Sequence, residues 1–179
     1  MTGVAVCATA SRCLGVDAVI TVPMGESRVS ADGTSLRTVG LGSCLAVVIF
    51  APRQQLAGLA HCMLPMPDDA ASNASPPHHN AKYVQTAIPD LLRQLKAAGA
   101  VAPFSATLVG GSCLFPSLAA GAVGDIAGAN VTTARSMLAD LAIPIRAEDV
   151  GGHVGRSIVV DPCTQRVLVH TIRHGDRSL

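Results

Sequence analysis

The sequence is poor in aromatic side chains and nearly neutral in charge. Its 179 residues include no tryptophan, one tyrosine and three phenylalanines, and 13 basic residues are balanced by 12 acidic ones. Without a basic surplus there is no electrostatic case for nucleic acid or an anionic membrane as a partner. Without aromatics there are no stacking platforms for single-stranded nucleic acid. We therefore expect no nucleic-acid binding, and a core built from Ala, Val, Leu and Ile.

Long apolar runs are also lacking. The longest, Cys44 to Ala51, has the length of a strand, whereas a membrane-spanning helix needs ~20 apolar residues. Residues 1–16 are mildly apolar but lack the basic start of a signal peptide. We expect them to be a poorly ordered extension or an artefact of the start site, and we expect no membrane insertion.

Cysteine pairs with metal or redox spacing are absent as well. No Cys-x-x-Cys occurs, which argues against a structural zinc or a thioredoxin-like pair. The chain is not small and its cysteine spacing is irregular, so a reduced cytosolic protein is the best interpretation, and no cofactor is expected. The six cysteines are Cys7, Cys13, Cys44, Cys62, Cys113 and Cys163.

The apolar pattern predicts one domain, residues 17–173, followed by a tail at 174–179. Helical spacing predicts a first helix that ends near Gly99 and contains Pro89, and a second helix capped by Asn130. About seven short strands accompany these helices. The predicted fold class is therefore α+β, with helices packed on a largely antiparallel sheet. The predicted strands lie at 18–22, 45–50, 56–60, 107–109, 145–147, 157–160 and 167–169.

The most informative segment is Thr38-Val-Gly-Leu-Gly-Ser-Cys44, which leads directly into an apolar strand. Gly40 and Gly42 can adopt backbone angles closed to other residues, so the chain can turn sharply there and present consecutive N–H groups. A thiol beside such groups combines a nucleophile with donors for an oxyanion, as acyl transfer requires. The segment therefore indicates Cys44 as a candidate nucleophile.

A candidate base follows in Gly58-Leu-Ala-His61-Cys-Met-Leu-Pro65. Residues 45–50 and 56–60 are predicted to form a hairpin around a short turn. This hairpin would bring Cys44, at the start of one strand, close to His61, at the end of its antiparallel partner. From the residues alone two interpretations stay open. One is a Cys–His thiol enzyme, and the other is a buried small cysteine with a core histidine bonded to backbone groups.

Other candidate motifs are weaker. The segment Gly151 to Arg156 has the glycine spacing of neither a Walker nor a dinucleotide-binding motif. We interpret it as a tight turn between strands and assign no role to His153. The adjacent histidines 78 and 79 have no acidic ligand at a suitable spacing, so solvated loop residues are the better interpretation. Cys113 also follows a Gly-Gly-Ser sequence but lacks a histidine partner.

Several blocks resemble the chemoreceptor glutamine deamidase family, CheD, in the family's order and over roughly residues 18–170. Together they are far more specific than any one of them. One departure is Ala129, because family members often carry an arginine before the asparagine that corresponds to Asn130. The blocks are Thr38 to Cys44, Gly58 to Pro65, Lys82-Tyr83, the helix-like run ending Gly99-Ala100, Gly110-Gly111-Ser112 with Phe115, and Glu148 to Arg156.

The resemblance implies a fold, an activity and partners. The fold would be a layered α/β sandwich similar to the catalytic domain of cytotoxic necrotizing factor toxins. The activity would be conversion of specific chemoreceptor glutamines to glutamates through a thioester, with Cys44 as nucleophile, His61 as its base and Thr38 completing the site. The same site would also suit glutamyl methyl-ester hydrolysis. The implied partners are chemoreceptor cytoplasmic domains and a CheC-type phosphatase, and the alternative function is a binding module that stimulates such a phosphatase.

Overall fold

The computed structural model describes residues 18–67, 81–114 and 125–179. The extension expected at residues 1–16 lies outside these ranges. Neither of the two α-helices in the described ranges is long and apolar enough to cross a membrane. The strands are β1 Val19–Thr21, β2 Ser27–Ser30, β3 Ser35–Leu41, β4 Leu45–Ala51, β5 Leu56–Cys62, β6 Ser105–Gly110, β7 Ile145–Val150, β8 Arg156–Asp161, β9 Arg166–Thr171 and β10 Gly175–Ser178, and the helices are α1 Val84–Ala97 and α2 Ile126–Asp140.

The described strands form two sheets of five. The order is β1-β3-β8-β9-β10 in one sheet, here called the outer sheet, and β2-β5-β4-β6-β7 in the other, the central sheet. Among the described strands only β1 with β3 and β6 with β7 pair in parallel. The predicted α+β class with mainly antiparallel pairing is therefore confirmed, although the strands divide into two sheets.

The central sheet divides the apolar core into two layers. Strand β4 is buried along its whole length. Its side chains alternate, so that Leu45 and Val47 pack with the helices whereas Ala46 and Val48 pack towards the outer sheet. This burial on both faces explains why the strand is a continuous apolar run rather than an alternating one. The described residues thus form three layers: the helices, the central sheet and the outer sheet, in that order.

Helix α1 follows the predicted pattern. Its apolar residues face the central sheet, and the chain leaves the helix at Gly99, whose φ of +93° suits glycine at a helix end. Pro89 lies inside the helix beyond its first turn. The buried face consists of Val84, Ala87, Ile88, Leu91, Leu92 and Leu95.

Helix α2 begins earlier than predicted. Its N-cap is Asp125, whose carboxylate accepts a hydrogen bond of 2.9 Å from the Gly128 N–H. The prediction that Asn130 caps the helix is therefore wrong. Asn130 lies within the helix and is fully buried. The error arose because Asp125 and Asn130 are both good N-caps, and the four residues between them show no apolar period.

Three strands were not predicted from the sequence. Strand β2 falls between the predicted strands at 18–22 and 45–50, β3 contains a glycine, and β10 lies in residues 174–179, which were expected to be a tail. Both β2 and β10 lie at sheet edges and carry largely polar sequences. Their pairing with β5 and β9 comes from tertiary context rather than from an apolar pattern.

Candidate active site

Cys44, His61 and Thr38 come together in the layer between the two sheets. The hairpin of β4 and β5 pairs Ala46 with His61 and Leu45 with Cys62. Extending this register makes Cys44 and His61 diagonal neighbours on one face. The Cys44 side chain packs against the apolar cluster between the sheets. Thr38 approaches from β3 of the outer sheet and is 1% exposed.

The Thr38 hydroxyl group fixes the tautomer of His61. Its oxygen lies 2.8 Å from the carbonyl oxygen of Val22 and 2.7 Å from Nδ1 of His61. A carbonyl oxygen only accepts, so the single hydroxyl hydrogen is donated to Val22. The Thr38 oxygen must then accept from His61 Nδ1–H. The neutral imidazole therefore carries its proton on Nδ1 and its lone pair on Nε2.

His61 is held firmly by its backbone as well. Its N–H donates to the Glu26 carbonyl at 3.0 Å, and its carbonyl accepts from the Gly25 N–H at 2.9 Å. The residue is 1% exposed, and within the described ranges Nε2 is buried without a hydrogen-bond partner. A buried polar atom left unpaired in this way is a candidate for a role in proton transfer.

The turn from Gly42 to Cys44 is anchored by its three carbonyl groups. The Gly42 oxygen accepts from the Ser112 N–H at 2.7 Å, and the Cys44 oxygen accepts from the Gly111 N–H at 2.8 Å. The Ser43 oxygen accepts from the side-chain amide of Asn130 at 2.9 Å. None of these bonds uses an N–H group of the turn. The arrangement can therefore offer backbone N–H groups to an oxyanion beside the thiol.

Glycines allow the close approaches around this turn. Gly40 has a φ of +75°, at an irregularity in the pairing of β3 with β8. The expected special backbone angle is absent at Gly42, where the requirement is steric because a Cβ would lie 2.8 Å from Cδ1 of Leu114. At Gly110 a Cβ would lie 2.4 Å from the Cys44 carbonyl oxygen. Strand β6 can pass the candidate nucleophile only with glycine there.

Burial shifts the pKa values of the two candidate groups in opposite directions. It raises the pKa of the Cys44 thiol, an effect that the Cys44 N–H partly opposes, and it lowers the pKa of the His61 imidazole. Both shifts favour the neutral forms at pH 7. Burial therefore opposes a resting thiolate–imidazolium pair.

A nearly buried ion pair supports the loop that anchors the turn. Nε and Nη2 of Arg156 lie 3.0 and 2.8 Å from Oδ1 of Asp149, and both side chains are about a tenth exposed. Another nitrogen of Arg156 donates to the Ser112 hydroxyl, and Arg177 bonds the second Asp149 oxygen at 2.6 Å. Since the Ser112 N–H holds Gly42, this network is connected to the turn. In the sequence, the block containing Asp149 and Arg156 is marked only by the family resemblance.

The remaining motifs take structural positions. Residues 151–155 connect β7 to β8, so the interpretation as a turn between strands is confirmed. Nδ1 of His153 lies 2.8 Å from the carbonyl oxygen of Cys113, on the loop after β6. Histidines 78 and 79 lie outside the described residues.

The cysteines of the described ranges differ in environment. Cys44, Cys62 and Cys113 are free thiols, and Cys62 is fully buried on the helix side of the central sheet. Burial raises the pKa of Cys62, with a further contribution from Cys44. Cys163 is disulfide-bonded, so the expectation of a fully reduced chain does not hold at that residue.

Comparison with known proteins identifies similar sequences along most of the chain. Residues 63–171 match the CheD family, described as CheD chemotactic sensory transduction. The chain is 36% identical over 162 residues to chemoreceptor glutamine deamidase CheD of Halalkalibacterium halodurans, which covers 90% of this chain and 98% of that protein. It is 32% identical over 162 residues to the protein of the same name in Bacillus subtilis, covering 90% and 96%. A probable chemoreceptor glutamine deamidase CheD of Geobacillus kaustophilus is 36% identical over 154 residues, covering 85% and 92%.

Proposed function

Because this chain belongs to the CheD family, we propose that it is a thiol-dependent deamidase that converts chemoreceptor glutamines to glutamates. The names of its relatives support the substrate, and the bonding of Thr38 supports the chemistry. The observation that carries the proposal is that one hydroxyl donates to Val22 and accepts from His61, which leaves Nε2 as the basic atom. The proposal implies a cytoplasmic protein, since its substrates would be the cytoplasmic domains of receptors.

The first half of the reaction forms a thioester. His61 Nε2 takes the proton of the Cys44 thiol as the sulfur attacks the side-chain amide carbon of glutamine. The carbonyl oxygen becomes an oxyanion, which backbone N–H groups of the turn stabilise. When the intermediate collapses, the C–N bond breaks and His61 returns its proton to the leaving nitrogen, so ammonia departs.

The second half consumes water. His61, again neutral, accepts a proton from water as the water oxygen attacks the thioester carbon. The second intermediate collapses with loss of the sulfur, which regains its proton, and a glutamate side chain leaves. Throughout both halves Thr38 keeps His61 Nδ1 protonated, the positioning task that Asp or Asn performs in other hydrolases. A glutamyl methyl ester would give the same acyl-enzyme with methanol as leaving group, so we propose ester hydrolysis as a secondary activity.

The direct test is mass spectrometry of a receptor signalling domain after incubation with the protein. We expect glutamine-to-glutamate conversion at a few defined sites, and none with Cys44→Ala. The matched control is Cys113→Ala, a change at another free thiol in a Gly-Gly-Ser-Cys sequence, which should retain most activity. Normal conversion by Cys44→Ala, or dependence on Cys113 instead, would contradict the assignment.

The proposed partner of the same site is a CheC-type phosphatase. A protein that covers Cys44 would exclude the receptor, so the two should compete. Cys44→Ala should still bind both, because one thiol contributes little to an interface of ~800 Å² per side. Simultaneous and independent binding would rule out a shared site. Phosphatase stimulation without any receptor deamidation by the unmodified protein would favour the binding module instead.

A further inference from the structure

Asn130 is a fully buried polar residue that contacts both ends of the candidate active site. Its side-chain nitrogen lies 2.9 Å from the Ser43 carbonyl oxygen and 3.0 Å from the Met63 carbonyl oxygen. Both partners accept only, so the amide must present its NH₂ group to them, and its orientation is unambiguous. Ser43 directly precedes Cys44, and Met63 follows His61 by two positions.

The position of this contact is where the β4–β5 ladder ends. The last paired residues are Leu45 and Cys62. The ladder does not continue beyond this pair. Instead, the Asn130 amide group donates to the Ser43 carbonyl oxygen on one side and to the Met63 carbonyl oxygen on the other. Asn130 thus takes the place of the next ladder bonds and closes the open end of the hairpin that carries Cys44 and His61.

The bond to Ser43 also determines the direction of a peptide unit. In a trans peptide the C=O and the following N–H point in opposite directions. The Ser43 oxygen points to α2, which packs on the helix side of the central sheet together with Leu45. The Cys44 N–H in the same peptide unit therefore points away from α2. The Cys44 side chain also lies on that other side, where it packs between the sheets.

We propose that Asn130 is a positioning residue for the oxyanion site, in that its amide holds the Ser43–Cys44 peptide with the Cys44 N–H directed at the reacting carbonyl. This inference rests on the proposed function only in that it takes a receptor glutamine as the natural substrate. Any carbonyl compound that adds to the Cys44 sulfur would need the same Cys44 N–H donor. Asn130 touches neither the thiol proton nor His61 Nε2. Activation of the nucleophile and stabilisation of the oxyanion should therefore separate in an Asn130 variant.

The test compares two reactions of Cys44 in Asn130→Ala. Alkylation by iodoacetamide displaces iodide and forms no oxyanion, so its rate and pH profile should stay within about twofold of the unmodified protein. Receptor deamidation should fall about 10–100-fold in kcat/KM, mostly in kcat, somewhat less than the ~10²–10³-fold cost of deleting an oxyanion donor outright. Asn130→Gln, which keeps the NH₂ group on a longer chain, should recover part of this loss.

A matched control is Arg135→Ala on the same helix. Arg135 lies five residues after Asn130 but is half exposed, and its bonds of 2.9 and 2.8 Å tie α2 to Glu148 on β7 rather than to the turn. Removing it loosens the helix attachment without touching the turn, so both reactions should be unchanged. Equal losses of alkylation and deamidation in Asn130→Ala, or no loss at all, would overturn the positioning role.

A measurement on the unmodified protein covers the case in which Asn130→Ala does not fold. Propanal adds to a thiol to give a hemithioacetal: the S–C bond forms, the S–H bond and the C=O π bond break, and the proton passes to the former carbonyl oxygen, which lies in the oxyanion position. We expect the backbone amide resonance of Cys44 to shift downfield in the ¹⁵N-correlated NMR spectrum on addition of propanal. A shift confined to other amides would refute the inference. Because propanal needs no receptor, absence of receptor deamidation would count against the proposed function alone.

Discussion

Cys44 and Cys62 lie at the same open end of one hairpin but on opposite faces of the central sheet. Cys62 points to the helix side, is fully buried among apolar residues and has a raised pKa. Cys44 points to the side of the outer sheet, is partly exposed and shares its face with His61. The contrast teaches that the two-residue period of a strand separates an inert thiol from a candidate nucleophile. The candidate reactive groups lie in the layer between the sheets, whereas the helix layer supplies packing and, through Asn130, a bond to the turn that carries Cys44.

The largest effect expected from this contrast is the difference between Cys44→Ala and Cys62→Ala. Loss of the nucleophile should lower receptor deamidation by about 10⁴-fold or more, with little change in stability. Cys62→Ala should retain activity and lower the free energy of unfolding by on the order of 1 kcal/mol, as for a small buried deletion. Ammonia release and urea unfolding of the two variants measure both quantities. A strongly inactive but stable Cys62→Ala would contradict the division between the two faces.

The next largest effects concern His61 and Thr38, which share the layer between the sheets with Cys44. His61→Ala should nearly abolish turnover and slow alkylation of Cys44 at neutral pH, because the thiol loses its base. Thr38→Val should lower kcat by about 10–10³-fold, since the imidazole is no longer held in one tautomer. Thr38→Ser keeps the hydroxyl and should keep substantial activity, which makes it the matched control. Equal activity of the Val and Ser variants would show that the hydroxyl bonds are unimportant.

The third prediction uses the opposite pKa shifts of Cys44 and His61. Because burial raises the pKa of the thiol, alkylation of Cys44 should keep rising with pH through and above ~8.5, the ordinary thiol value. The lowered pKa of His61 means that the unfolded chain binds its proton first as the pH falls. Stability from this residue is therefore present above ~6.5 and is lost as the pH falls from there towards the lower folded value. Iodoacetamide kinetics between pH 5 and 10 test the thiol prediction, and urea midpoints over the same range test the stability prediction. An alkylation rate that does not depend on pH below 7 would indicate a preformed thiolate–imidazolium pair instead.

The sequence predicted the parts of this architecture that depend on local pattern. Strand β4 and helix α1 follow from apolar period, and the approach of Cys44 to His61 follows from antiparallel pairing around a short turn. The bond from Thr38 to His61 could not be derived from spacing, because it crosses between two sheets whose stacking is a tertiary property. For the same reason Asn130 was interpreted as a cap, since nothing local distinguishes an N-cap asparagine from a buried one.

The smallest effects on activity concern Glu148 and Asp149, two adjacent acids of β7 that bond to opposite sides of the central sheet. Glu148 bonds Arg135 of the helix layer, and Asp149 bonds Arg156 of the outer sheet. Arg135 is half exposed, so Arg135→Ala should cost at most about 1 kcal/mol and leave activity unchanged. Arg156 is nearly buried and also holds the Ser112 hydroxyl.

Arg156→Ala should therefore cost about 2–4 kcal/mol, towards the lower end of the range for breaking a buried pair, because Arg177 still neutralises Asp149. It should also lower kcat several-fold, because the Ser112 loop no longer holds Gly42 firmly. Urea unfolding and kcat/KM for Arg156→Ala and Arg135→Ala make the comparison. Equal effects of the two variants on activity would contradict the role of the Arg156–Ser112 bond in holding the turn.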